Sequence, residues 1–165
     1  MEQGEECAPL PLSRARRQRT RIGGARLRLR SIAAVNGNAP VFGSPPDLPP
    51  PNGYSHVVTI PAGRLVWTSG QVGIAADGSV PGGYEAQTRL AFDNIGRALA
   101  DAGAGWVDVV KLTFYVVSTD ELATVRAVRD EYVNTDAPPT SSLVRVAGLF
   151  RDDLVIEVEA VASIA

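Results

Sequence analysis

Between Pro138 and Ala165 the chain alternates apolar and polar positions in the manner of two β-strands. Leu143, Val144 and Val146 are β-prone, Gly148 to Asp153 reads as a turn, and Leu154 to Ile164 runs Leu-Val-Ile-Glu-Val-Glu-Ala-Val-Ala-Ser-Ile. The pattern predicts a final hairpin. A period of two places Leu154, Ile156, Val158, Ala160 and Ala162 on one face, and Val155, Glu157, Glu159 and Val161 on the other. The two glutamates then stand roughly 6–7 Å apart, at about 3.3 Å of rise per residue. Such a pair is either a half-solvated, salt-bridged sheet face or part of a lined pocket. The apolar face Leu154/Ile156/Val158 requires cover and is expected to find it on another subunit.

Upstream, Ser55–Ile60 and Arg64–Ser69 are short β-prone runs separated by Pro61-Ala62-Gly63, which predicts a hairpin. Gly70-Gln71-Val72-Gly73 and the turn signal Asp77-Gly78 follow. In Tyr84–Ala102, Leu90, Ala91, Ile95, Ala98, Leu99 and Ala102 recur at helical spacing, and Gly103 supplies the stop. Trp106–Val117 is apolar and β-branched around Lys111, as suits a strand buried on both faces. Glu121–Asn134 is a second helix, with Leu122, Val125, Val128 and Tyr132 inward. The predicted order is ββ(β)αβαββ, an α+β fold with two helices on one face of a mixed sheet. Residues 1–51 fall outside this pattern. Ser13–Arg30 is arginine-rich without a sustained apolar face, and Ala39–Pro51 is proline-rich, so residues 1–51 are expected to be a disordered extension and 52–165 the domain. A transit peptide, a nucleic-acid or membrane-surface tail and an over-long gene start are the other readings of that segment.

A chain of 165 residues supports one domain with a real core. No apolar run approaches the roughly 20 residues of a membrane span, and a cytoplasmic protein is expected. With a single cysteine, Cys7, no internal disulfide or cysteine-based zinc site can form. A single histidine, His56, argues against a His-rich metal centre and a Ser-His-Asp triad. Charge is divided unevenly. Residues 1–40 hold eight arginines and three glutamates, a charge of +5, whereas residues 41–165 hold eight basic and fifteen acidic side chains, a charge of −7. An acidic domain is poorly suited to gripping nucleic-acid phosphates.

Four segments in order carry a resemblance: Trp67–Gly73 (WTSGQVG), Gln87–Gly103 (QTRLAFDNIGRALADAG), Val109–Val116 (VVKLTFYV), and Pro139–Leu149 with Ile156–Ala162 (PTSSLVRVAGL…IEVEAVA). Together they resemble the RidA/YjgF family of reactive-intermediate deaminases, some of whose members are labelled endoribonuclease L-PSP. The resemblance spans Tyr54–Ala165. It implies a chorismate-mutase-like subunit, a homotrimer around a central barrel, and a small pocket at each subunit interface. It also implies hydrolysis of imines and enamines to a keto acid and ammonia, with no metal or cofactor.

Position by position, the resemblance makes Glu157 the glutamate that positions the attacking water, and a carboxylate suits that task because it accepts a proton. Tyr54 falls at the early pocket tyrosine, although Gly53 replaces the motif's proline. Ser69 and Gly70 match a loop that presents backbone amides. Ser141 stands where the family has an arginine for the substrate carboxylate, and a serine cannot form that bidentate, charge-assisted pair. Leu143 follows Ser141 on the same strand face, and Arg126 stands where relatives often have an asparagine near the pocket. Each position also has a plain structural reading: a salt-bridged strand carboxylate for Glu157, a partly buried aromatic for Tyr54, a turn for Ser69-Gly70, and a solvated helix residue for Arg126. Arg145 is expected to pair with Glu157 or Glu159 across the hairpin. Gln87 and Asn94 are expected to hold the first helix to neighbouring backbone; His56, Trp67 and Trp106 to be packing or surface residues; and Lys111 to reach solvent at a trimer channel.

Two functions follow. One is a RidA-like hydrolase whose substrate range is altered by Ser141; the other is a trimer that binds a small metabolite or partner enzyme without turnover. RNA cleavage is the third reading, and the acidic domain opposes it. An arginine restored at 141 is expected to stand on the strand next to Glu157.

Overall fold

The structure, a computed structural model, describes residues 39–61 and 63–164. The arginine-rich segment Ser13–Arg30 lies outside the described residues. Part of the proline-rich stretch lies within them: Val41–Gly43 (β1) forms a strand and pairs antiparallel with Val57–Thr59 (β2). A second sheet contains Arg64–Trp67 (β3), Gln71–Val72 (β4), Val109–Val116 (β5), Thr140–Arg145 (β6) and Ile156–Ile164 (β7). Its order is β3-β7-β5-β6, with β4 also on β7. The helices are Tyr84–Asp101 (α1) and Leu122–Asp130 (α2), so the fold is α+β with two helices on a mixed sheet.

Two predicted hairpins do not form. β2 pairs with β1, and β3 pairs with β7 at the far end of the chain. β6 and β7 are not neighbours, because β5 lies between them, parallel to β6 and antiparallel to β7. The physical reason is the apolar content of β5, which favours a central position with a strand on each side. Residues 146–155 therefore cross over to β7 and do not form a tight turn.

Strand alternation sorts the sheet into two faces. Leu154, Ile156, Val158, Ala160 and Ala162 are buried, as are Leu112, Phe114 and Val116 of β5. They share a core with Phe92, Ile95 and Leu99 of α1 and Val125 of α2. The expectation that Leu154/Ile156/Val158 needs another subunit is therefore corrected, because the chain covers this face itself. The opposite face carries Lys111, Thr113 and Tyr115 of β5 with Glu157, Glu159 and Val161 of β7, all half-buried. β5 is thus covered on one face only, where burial on both was expected. Trp67, 67% exposed and in register with Val161, and Val144, 46% exposed and in register with Tyr115, extend this open face.

Helix α1 ends as its sequence predicts. Gly103 adopts a positive φ of 73°, and the amides of Gly103 and Ala104 bond the carbonyls of Ala100 and Leu99, the Schellman arrangement. Helix α2 is shorter than Glu121–Asn134: after Asp130 the amides of Glu131, Tyr132 and Val133 turn back onto Val128 and Arg129 carbonyls. Trp106 stacks on Phe92 at 5.2 Å between ring centroids, a packing role. Among the described residues, no helix is long and apolar enough to cross a membrane.

Gln87 fastens α1 to the sheet. It is 2% exposed; its Nε2 donates to the carbonyls of Pro81 (3.1 Å) and Asp153 (2.7 Å), and its Oε1 accepts from the amide of Val155 (2.9 Å). Asn94 Nδ2 similarly donates to the carbonyls of Val72 and Ile74. Gln87→Ala strands three backbone groups and is expected to cost about 2–4 kcal/mol, lowering Tm by roughly 5–15 °C in calorimetry. A fall of less than about 2 °C would contradict the assignment.

Arg89 joins the two helices by a two-pronged pair, Nη1 to Glu131 Oε2 at 2.6 Å and Nη2 to Oε1 at 3.0 Å. The hydrogen bonds and charge of Arg89 hold the Glu131 carboxyl below its ordinary value of 4.5. A carboxyl depressed in the folded state contributes fully above its unfolded value and loses that contribution as pH falls through the folded value. Glu131→Gln should therefore flatten the plot of Tm against pH below about 4.5. An unaltered acid limb would contradict this.

Candidate functional site

The sequence-predicted residues form two clusters on opposite faces of the sheet. The first is a cavity of about 250 Å³ beside α2. Tyr54, Arg126, Ser141 and Leu143 line it, together with Asn52, Phe114, Val125 and Arg129. Ser141 and Leu143 face this side because they are in register with the buried Leu112 and Phe114. The loop carrying Tyr54 is tied to the start of β6, with Ser55 Oγ donating to the Pro138 carbonyl at 2.7 Å and the Ser55 amide to the Pro139 carbonyl at 3.3 Å. The Tyr54 ring meets His56 edge-on at 5.2 Å, and His56 Nε2 lies 2.8 Å from the Pro49 carbonyl. His56 thus packs the loop.

The second cluster is on the open face. Glu157 is in register with Tyr115 on β5 and Val72 on β4. Its carboxylate fills the space that a side chain at Gly70 would occupy, since a Cβ there would collide with Oε1 and stand 2.7 Å from Cδ. A side chain at residue 70 would therefore displace the Glu157 carboxylate. Ser69 is exposed beside it, with its carbonyl accepting from Gln71 Nε2 at 3.3 Å. Among the described residues, Glu157 has no hydrogen-bond or ion-pair partner, and Glu159 accepts from Tyr115 Oη at 3.4 Å. The charge of Glu159, then partial burial, raises the Tyr115 hydroxyl above its ordinary value. Burial lowers the Lys111 ammonium, which donates to Ser142 Oγ at 2.6 Å.

The salt-bridged reading of this strand face is not what forms. Arg145 lies two strands from Glu157 and on the other face, with its Nε 3.5 Å from the Val117 carbonyl. For the same reason an arginine at 141 would not stand next to Glu157: β5 separates the two strands, and residues 141 and 157 face opposite ways. Within one chain, then, Tyr54, Ser141, Leu143 and Arg126 are brought together, Glu157, Gly70 and Ser69 are brought together, and the two groups are apart. Arg129 was not anticipated. It lies four residues after Val125 on the inward face, and apolar periodicity alone does not mark an arginine there. Gly53 was the available signal: its φ is 70°, and a Cβ on it would collide with the Arg129 guanidinium. Among the described residues, no group of three or more His, Cys, Asp or Glu side chains is arranged to hold a metal ion.

Residues 46–164 match the family model described as endoribonuclease L-PSP. The chain belongs to this family. It is 34% identical over 110 residues to the 2-iminobutanoate/2-iminopropanoate deaminase of Escherichia coli (strain K12), covering 65% of this chain and 85% of that protein. Among solved structures, a Rid-family protein from Yersinia pestis named YyfB aligns with a TM-score of 0.67 at 33% identity, covering 76% of this chain and 98% of that one. E. coli TdcF with bound serine aligns with a TM-score of 0.57 at 28% identity, covering 74% and 94%. The α+β architecture is thus shared across the family.

A methyl group at residue 70 must push the Glu157 carboxylate out of its recess. Gly70→Ala is expected to shift the side-chain carboxyl carbon resonance of Glu157 at neutral pH. A resonance superimposable on wild type would contradict the packing of Glu157 against Gly70.

Proposed function

We propose that the protein hydrolyses a small imine or enamine, releasing ammonia and a carbonyl product, with a substrate range altered by Ser141. The observation that carries this reading is the unpaired Glu157 carboxylate held against Gly70, in a chain related to a named imine deaminase. In the proposed reaction Glu157 takes a proton from water as its oxygen adds to the C=N carbon and passes that proton to the imine nitrogen, which regenerates the carboxylate. The resulting carbinolamine then collapses, with the C–N bond breaking, ammonia leaving, and the hydroxyl becoming the carbonyl. In this reading the backbone amides of Ser69 and Gly70 stabilise negative charge that develops on the substrate. Tyr54, Leu143, Ser141 and Arg126 hold the substrate body. A carboxylate placed to accept a proton favours turnover over a site that only binds.

Because the two clusters face opposite ways, the proposed site requires two chains: Glu157 with Ser69-Gly70 from one, and the α2-side cavity from its neighbour. We propose a homotrimer in which the open sheet face of one chain packs against the β6 edge and α2-side cavity of its neighbour. Exposed Trp67 and Val144, with the outer edges of β3 and of β6 beyond Thr140, which are unpaired among the described residues, support an interface there. Lys111 would then line the channel.

The chemistry is tested by ammonia release from imines generated in situ by an amino-acid oxidase. Glu157→Gln should reduce turnover by about 10²-fold or more, because an amide cannot take the proton. Activity retained in that variant would remove Glu157 from the mechanism. Sedimentation of the full chain at micromolar concentration should give a trimer; a clean monomer would remove the two-chain site.

A further inference from the structure

Arg126 and Arg129 are one turn apart on α2, and both line the cavity that holds Ser141. Arg129 is 7% exposed, and its charge is matched once: Nε and Nη2 both lie on Asp130 Oδ1, at 2.8 and 2.7 Å. Arg126 is half-buried, and among the described residues it has no hydrogen-bond or ion-pair partner. Two guanidiniums and one carboxylate leave a single uncompensated positive charge in this wall. The apolar side chains of Phe114, Val125 and Leu143 also line the cavity. The absent side chain at Gly53 makes the room that the Arg129 guanidinium occupies. Serine at 141 leaves the strand side of the cavity small and uncharged.

We propose that Arg126 and Arg129 form the anion-binding wall of the cavity, and that its ligand is a monocarboxylate with an apolar body. A guanidinium fork matches the two oxygens of a carboxylate, and one net charge matches one carboxylate. The cavity volume of about 250 Å³ suits a body no larger than a branched or aromatic amino-acid side chain. Carboxylate recognition comes from α2, so β6 needs no cation at residue 141. The inference rests on the proposed function only in taking this cavity as the substrate-holding half of the site.

Calorimetric titration of the full chain tests it, with phenylacetate and its neutral isostere phenylacetamide as probes. Phenylacetate is expected to bind at least about tenfold more tightly than the amide, and Arg126→Gln to remove that preference by weakening the acid far more than the amide. Among the described residues Arg126 has no hydrogen-bond or ion-pair partner for the substitution to break. Arg129→Lys, which keeps the charge but not the fork, is expected to weaken phenylacetate severalfold. An unchanged acid-to-amide ratio in Arg126→Gln would overturn the proposal, as would inorganic phosphate displacing phenylacetate at equal concentration. The two readings fail separately. Arg126-dependent binding without ammonia release from any imine would remove the deaminase and leave the anion wall. Imine hydrolysis with a KM unaffected by Arg126→Gln would remove the anion wall and leave the deaminase.

Discussion

Helices cover only one face of this sheet, and the arrangement of everything else follows from that asymmetry. α1 and α2 lie over Leu112, Phe114, Ile156 and Val158, and Gln87 fixes α1 in place with three hydrogen bonds to backbone. The other face is left with a mixture that suits neither bulk water nor a dry core: Lys111, Tyr115, Glu157, Glu159 and an exposed Trp67. Half-buried carboxylates without cations are tolerable on such a face only while they remain hydrated or find partners outside the chain.

The same alternation separates the candidate chemistry. Glu157 lies on the open face, whereas Ser141, Leu143, Tyr54 and the α2 arginines lie on the covered one. No rotamer change brings the two groups together, because β5 runs between β6 and β7 and a residue's face is set by its register. The proposed trimer resolves this by joining one chain's carboxylate to its neighbour's cavity. On that account the sheet geometry, and not any single side chain, makes the protein dependent on assembly.

The sequence was most legible where a local pattern determines structure. Period two in Leu154–Ile164 placed Ile156, Val158, Ala160 and Ala162 of β7 on the buried face, though Ser163 is buried too, and helical spacing with Gly103 placed α1 to within a residue. Strand partners were not legible, since both predicted hairpins rested on proximity along the chain. β3 and β5 in fact pair with β7 across long separations. The family resemblance singled out Glu157 and Gly70 separately, and the structure brings them together, the glycine making room for the carboxylate. It did not disclose Arg129, whose presence depends on the space at Gly53. That departure from the motif was visible in the sequence, but its use was not, because Gly53 and Arg129 meet only in the folded chain.

Mixing two impaired variants, assayed with substrate well below KM where weakened binding also lowers the rate, tests the two-chain site most directly. Chains carrying Glu157→Gln retain the α2-side cavity, and chains carrying Arg126→Gln retain the carboxylate against Gly70. Unfolded and refolded together in equal amounts, they should recover about a quarter of wild-type ammonia release, the share of interfaces in which random assembly pairs an intact carboxylate with an intact neighbouring cavity. A mixture no more active than its parents would contradict the account, because a site built within one chain cannot be restored by exchange.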